Sequence, residues 1–528
     1  MVLFQKEATN LNFTTKSVHY SIIKQNMSLY CLVSKYLLII KLNHRRFIMS
    51  SSIINSASCS TTVSNSSSQP IEALLKQSAQ QLLDYTKSFQ SYFTSSTRQV
   101  TTTAHNYIQG LFKTEKKKGT CTGMSKVLEK VGSQNLNHLL SNSPWHYDEV
   151  MAQVMLRSNR RLKGHPNTCL QIDEYSFPKK GKHSVGVSHQ YLGCLGKSDN
   201  GQVAVGLTHN QGKNSSLINS RLFLPKSWTN DKARLESAGV PQIYQTHQTK
   251  LEIALDLIDE AMKNGVYFNW VNMDSLYGRS LDLLAKLESR GLTFSGDIPK
   301  DMLVYQQEPV LYVPTKKAGR GRANTRLVTD SPSISVSQLT EELAPEDWTT
   351  LSVRHATKGD VMIQGYKQRV WLWNKDKTYC QSYILFIKKP INYDEEISYS
   401  LLNLSDDIPL KRIAFMQGQR FFIEHTFKEG KNQVGLGDYQ VRSWDAFHKH
   451  ITLCMMALNF LMEIRMDAQR LDFHWFTAAD VKELLCFLIP DKKVSLDQLI
   501  QQLKAKHIQY QKNIERNRRK TKLYYQLQ

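Results

Sequence analysis

Apolar residues recur at helical spacing in Ile71-Glu72-Ala73-Leu74-Leu75 and again at Leu82-Leu83, which predicts helix from residue 71 onward. A second pattern, Met124 to Gly132 followed by Asn135 to Leu140, predicts two short amphipathic helices around a glycine. That pair fits a helix-turn-helix offering its second helix to a major groove, and equally a helical hairpin packing its leucines inward. Between Leu170 and Pro299 the pattern changes to strand, strand, strand, helix, strand, helix, strand. Residues 185–195 and 202–207 read as strands about a turn at Asp199-Asn200-Gly201. Residues 251–262 have helical spacing with Gly265 as a stop. A strand ending at Asp274, a helix around 281–287 and a strand at 292–296 complete the run.

This is the element order of a ribonuclease-H-like α/β domain. Residues 301–408 depart from it, with β-like runs at Val361-Met362-Ile363-Gln364-Gly365-Tyr366, Arg369-Val370-Trp371-Leu372-Trp373 and Ser382-Tyr383-Ile384-Leu385-Phe386-Ile387. They lengthen the interval between Asp274 and the next helical stretch, 419–431, far beyond one connecting loop. Residues 447–462 are apolar enough to be a buried helix. The expected organisation is an extension over 1–70, a helical DNA-binding region at 71–165 and a first part of a catalytic core at 166–300. A β-rich insertion at 301–408, the rest of the core at 409–466 and a helical basic region at 467–528 follow.

Composition narrows the partners. The chain has 528 residues, a formal charge of +22 and a pI near 9.5, which favours a polyanion and above all nucleic acid. Its eight cysteines are scattered with no Cys-x-x-Cys pair, which argues against structural zinc and a disulfide framework and suits a reducing compartment. The best apolar stretch, 28–42, is broken by Lys35 and Lys41, so no membrane span is expected. Ten serines between residues 50 and 68 predict a disordered linker, and Met49 just before them is a candidate start. Eight Lys and Arg against one Glu in 502–528 suggest a solvated tail facing nucleic acid.

Three acids stand where a metal-dependent nuclease needs them. Asp173 follows the apolar run Cys169-Leu170-Gln171-Ile172, Asp274 closes Tyr267-Phe268-Asn269-Trp270-Val271-Asn272-Met273, and Glu424 lies in the helical stretch from Gln419 to Lys431. Three such carboxylates can hold two divalent cations that stabilise both the attacking and leaving oxygens of phosphodiester displacement. Taken singly each has a plainer explanation, a turn or cap for the aspartates and a surface ion pair for Arg420 and Glu424. Lys179, Lys180, Lys182 and His183 fall in the turn after the first strand, where they fit phosphate contacts or a solvated turn. Trp270 is expected in the core, and His448 and His450 are expected to be structural.

The blocks 173–196, Arg221-Leu222-Phe223-Leu224-Pro225-Lys226-Ser227-Trp228-Thr229, 274–279 and 420–444 occur in the order found in bacterial DDE-type transposases. The stretch from about Tyr107 to Met466 resembles the insertion sequence 701 group of the insertion sequence 4 superfamily. The resemblance implies Asp173, Asp274 and Glu424 as the catalytic, metal-binding triad, with Asp173 preferred over Glu174 as the first acid of the adjacent pair. It also implies a Tyr-x2-Arg-x3-Glu-x6-Lys pattern, which Arg420, Glu424 and Lys431 match while Gln417 replaces the tyrosine. Offsets of four and seven place these three on one helical face. Lys179, Lys180, Lys182, Arg279, Arg320, Arg322, Arg420 and Lys431 are then the expected DNA contacts. The implied cofactor is Mg²⁺ or Mn²⁺, two ions. The implied partners are element terminal inverted repeats and target DNA, with a homodimer in the active complex. The implied location is cytoplasmic, associated with the nucleoid. A nuclease of the same fold that does not integrate, and an inactive DNA-binding protein, are the competing functions.

Overall fold

The structure, a computed structural model, describes residues 68–94, 98–315, 324–356, 359–375, 377–391, 396–474 and 476–493, with scattered positions up to 519. The serine-rich tract, Met49, the basic segment 316–322 and much of the C-terminal tail lie outside the described residues. Strands follow in the order β1 (Cys169–Pro178), β2 (Ser188–Leu192), β3 (Lys197–Gln211), β4 (Asn214–Leu222), β5 (Trp270–Met273) and β6 (Phe294–Ile298). A small pair, β7 (Leu303–Val304) and β8 (Ile334–Ser335), precedes β9 (Thr349–Ala356), β10 (Gly359–Leu372), β11 (Gln381–Pro390) and β12 (Ser398–Leu402). All except β7 and β8 join one mixed sheet in the order β2-β3-β1-β5-β6-β12-β11-β10-β9, with β4 paired to β3. β1, β5 and β6 run parallel to one another, and the remaining pairings are antiparallel. The β-like runs after residue 300 therefore extend the sheet that begins at β1.

Alternation along β1 sorts its residues onto two faces. Leu170 and Ile172 enter the core under helices Lys250–Lys263 and Leu281–Glu288. Tyr175 and Phe177 join the opposite core, beneath helices Phe421–Gln433 and Trp444–Arg470. The latter helix is buried almost all round, as its unbroken apolar run requires. The two helices near Gly132 are Cys121–Val127 and Ser133–Ser141, and their Met124, Leu136, Leu139 and Leu140 all point into this core. The chain reverses between them with Lys130 at φ 56°, while Gly132 is an ordinary N-cap at φ −85°.

Three local expectations need correction. The turn after β2 is at Gly193-Cys194-Leu195-Gly196, with Gly196 at φ +64°, and Asp199-Asn200-Gly201 lies inside β3 opposite Gln190, His189 and Ser188. Residues 361–366 and 369–373 are not two strands, because β10 runs unbroken to Leu372. The strand before Asp274 is shorter than its apolar run, since β5 begins at Trp270 and Tyr267 is exposed.

Candidate active site

The sheet register brings two of the acids together. β1 and β5 pair in parallel up to Ile172 opposite Met273, so the next residue on each strand is Asp173 and Asp274. Asp173 accepts a hydrogen bond from its neighbour's backbone, Glu174 N, at 2.6 Å. Asp274 caps the short helix Ser275–Gly278 by accepting from Leu276 N at 3.0 Å. That helix sits directly on β6: a Cβ on Gly278 would lie 2.1 Å from the Asp297 carbonyl, and one on Gly296 would lie 2.8 Å from Gly278 Cα. Only glycine permits this crossing, and the crossing fixes where Asp274 ends the strand.

Glu174 points the other way. Its carboxylate holds Lys250 Nζ at 2.6 Å and accepts from Tyr277 Oη at 3.1 Å. Burial, and then the charge of Asp274, raise the Asp173 pKa well above the usual carboxylate range. Burial and then the charge of Glu174 push Asp274 up to about 6. The guanidinium of Arg420 opposes both shifts without cancelling them.

Arg420 organises the other half of the site. It lies at the break between helices Leu410–Gly418 and Phe421–Gln433, in a helical backbone conformation that keeps its four-residue relation to Glu424. Its Nη1 is 2.9 Å from Glu424 Oε1 and its Nε 2.7 Å from Asp297 Oδ2. The charges of Asp297, Glu424, Asp173 and Asp274 all raise its pKa against the effect of burial. Glu424 itself is 57% exposed. Phe427, one turn on, packs onto Gly206, which faces Asp173 across the β1–β3 pair; a Cβ there would meet the Phe427 ring at 3.0 Å. Lys431 lies 5.9 Å from the Phe177 ring centroid, its pKa lowered by burial and partly restored by charge at Cys194 and Asp173.

The other expected cations separate into three groups. Lys179 does not project into a turn as a solvated phosphate contact: its ammonium stacks 3.5 Å from the Tyr439 ring, and burial lowers its pKa to about 8. Lys180, Lys182 and Arg279 are exposed. Arg320 and Arg322 lie outside the described residues. Trp228 and Trp270 are core residues, and His448 and His450 are buried with pKa values lowered to about 3 by desolvation.

Sequence inspection missed Asp297 and the basic lining beside it. Arg354 and Lys388 share a cavity with Asp297, Arg420, Phe421 and Glu424. Arg354 also lines two adjoining cavities with Lys213, one of them bearing Lys411 and the other Lys428. No local signal marks these residues, because strands and helices far apart in sequence bring them together.

Among the described residues no three His, Cys, Asp or Glu side chains form a ready metal cage. What the site does contain is a half-buried pair of under-neutralised aspartates, with Glu424 nearby on the same Arg420 guanidinium. Such a pair fits a cation.

The model of the DDE superfamily endonucleases matches residues 88–360, a little over half the chain. The chain belongs to that family. The matched span holds Asp173 and Asp274, and Glu424 lies beyond its end. The probable transposase for insertion sequence element IS701 of Microchaete diplosiphon is 25% identical over 62% of this chain and 73% of its own length. Family and relative together make this DDE endonuclease a DNA transposase. A cryo-EM structure of piggyBac transposase in a synaptic complex with hairpin DNA aligns over 79% of this chain and 80% of that one. Its TM-score of 0.35 and identity of 11% leave it without weight for details of the fold. Among the described residues no helix is long and apolar enough to cross a membrane.

Proposed function

We propose that this transposase cuts DNA at the ends of its insertion sequence and joins the freed 3′-hydroxyls to target DNA, using Asp173, Asp274 and Glu424 to hold two Mg²⁺ or Mn²⁺ ions. The observation that carries this reading is the juxtaposition of Asp173, within β1, and Asp274, just after β5, where the parallel pairing of the two strands stops, with Arg420 linking them electrostatically to Glu424. The strand order β4-β3-β1-β5-β6 supports a ribonuclease-H-like core, with 301–408 as a β-rich insertion and 409–466 completing it.

When bound, divalent cations supply Lewis acidity at the phosphate and offset the charge that builds during displacement. The two aspartates supply fixed anionic oxygens, and the burial that raises their pKa values keeps water from competing with them. Glu424 would complete the ligand set, since its exposed contact with Arg420 is one that a bound cation could replace. Arg420 then offers its fork to a phosphate oxygen, while Lys431 contributes a point charge. Lys180, Lys182, Arg279, Arg320 and Arg322 serve as phosphate contacts that position DNA without reading its sequence. Lys179, stacked on Tyr439, supports the chain just after β1 and leaves the phosphates to its neighbours. The helical region 71–165 binds element ends, two copies of the chain act in the complex, and the protein works at the nucleoid.

The test is strand transfer. Purified protein with Mg²⁺ and a DNA fragment carrying the element's terminal inverted repeat should release a 3′-hydroxyl end and then join it to a supercoiled target. Cleavage without joining would reduce the protein to a nuclease, and neither reaction would remove the catalytic reading.

A further inference from the structure

The geometry points to Asp297 as a positioning residue that keeps Arg420 from occupying the metal site. This rests on the reading of Asp173, Asp274 and Glu424 as metal ligands. Asp297 lies on β6, and its side chain is 15% exposed. Its Oδ1 accepts from Ser400 Oγ at 2.6 Å and Gln417 Nε2 at 3.2 Å, and its Oδ2 pairs with Arg420 Nε at 2.7 Å. Ser400 is the cross-strand partner of Asp297 on β12, so register sets the first brace. Gln417 is 3% exposed, in the last turn of the helix before the break at Arg420, and supplies the second.

Asp297 thereby differs from the other acids around Arg420. It is held by neutral donors on two separate elements, whereas Glu424 is exposed and, among the described residues, bound by Arg420 alone. A guanidinium has a single positive charge to share among these anions. With Asp297 in place, Arg420 has a permanent partner and can yield Glu424 to a cation. Without it, Arg420 has only the proposed ligands to pair with, and it competes with metal for all three. The glutamine at position 417 acquires a purpose on this basis: it braces the anchor of the arginine, a task separate from any contact a tyrosine would make with DNA.

The experiment is a Mn²⁺ titration of the full chain without DNA, followed by the electron paramagnetic resonance signal of free Mn²⁺, for the parent, Asp297→Asn, Arg420→Gln and the double variant. Asp297→Asn should weaken Mn²⁺ binding on the order of tenfold, the scale of one lost charge contact. In the Arg420→Gln background the same change should alter binding by less than about twofold, because the competitor is gone. An equal loss in both backgrounds would make Asp297 a ligand or a purely structural residue and overturn the proposal, as would no loss in the parent. Ser400→Ala retains the carboxylate and removes one brace, so it carries the test if Asp297→Asn does not fold; its loss should be smaller and should likewise disappear with Arg420→Gln. If the parent binds no Mn²⁺, the metal reading itself falls, which is a different result from unchanged binding in the variants.

Discussion

Asp173 and Asp274 stand side by side where the parallel pairing of β1 and β5 stops, half-buried and raised in pKa, while Glu424 stands exposed in the first turn of a helix and is held by one arginine. Backbone hydrogen bonds across the sheet place the first pair, so neither can move without disturbing β1 or β5. A side-chain contact that can be exchanged places the third. On the proposed reading the difference separates two demands: a rigid floor that would fix where ions bind, and an adjustable ligand that would complete the set as DNA arrives. Stability pays for the floor, because burying two like charges costs more than an exposed ion pair returns.

The comparison is broken most directly by removing charge without volume. Asp173→Asn, Asp274→Asn and Glu424→Gln should each reduce single-turnover cleavage on the order of 10³-fold or more. The aspartate variants should melt higher than the parent in the absence of metal, whereas Glu424→Gln should melt within about 1 °C of it, since an exposed pair is worth ~0.3–0.5 kcal/mol. Equal melting shifts in all three would mean that the two halves are held alike.

Next comes the glycine crossing under Asp274. Gly278→Ala places a Cβ against the Asp297 backbone and should destabilise the fold by about 3 kcal/mol or more, lowering both melting temperature and activity. Gly181→Ala, in open space, should do neither. A Gly278→Ala protein with parent-like melting would show that the crossing does not fix the floor.

A smaller effect should appear with pH. Asp274 has a pKa raised to about 6 from the ordinary 3.8, so the folded state binds a proton more tightly than the unfolded chain. The contribution of Asp274 to metal-free stability should therefore be fully present below about 3.8 and be lost as pH rises through about 6. Cleavage at limiting Mg²⁺ should change in the opposite sense, falling roughly tenfold per pH unit below 6 as the ligand protonates. Thermal melts and initial rates between pH 5 and 8 would check both, and Asp274→Asn should flatten the stability curve.

The strand aspartates were legible because each ends an apolar run, and the pattern of Arg420, Glu424 and Lys431 was legible because helical spacing is a local property. Asp199-Asn200-Gly201 misled because Asn-Gly is a strong turn signal. Gly201 is needed there for close packing, since a Cβ would meet the Phe177 carbonyl at 2.6 Å. Lys179 lies in a run of cations, and its partner Tyr439 is remote in sequence, so nothing nearby revealed that its ammonium turns inward. Asp297 was invisible for the same reason. Its meaning depends on Ser400, Gln417 and Arg420, which only the sheet and the helix break gather around it.

The most direct measurement asks whether the acids touch metal. Asp173→Cys, Asp274→Cys and Glu424→Cys should be tested for cleavage of an element end in Mg²⁺ and in Mn²⁺, because a thiolate binds the softer ion far better. Direct ligation predicts no cleavage by the two strand variants in Mg²⁺ and measurable recovery in Mn²⁺, with recovery also for Glu424→Cys if its helix can close the shorter reach. Strand variants that cleave normally in Mg²⁺, or that stay dead in Mn²⁺ while still folded and bound to DNA, would contradict a metal site built on Asp173 and Asp274.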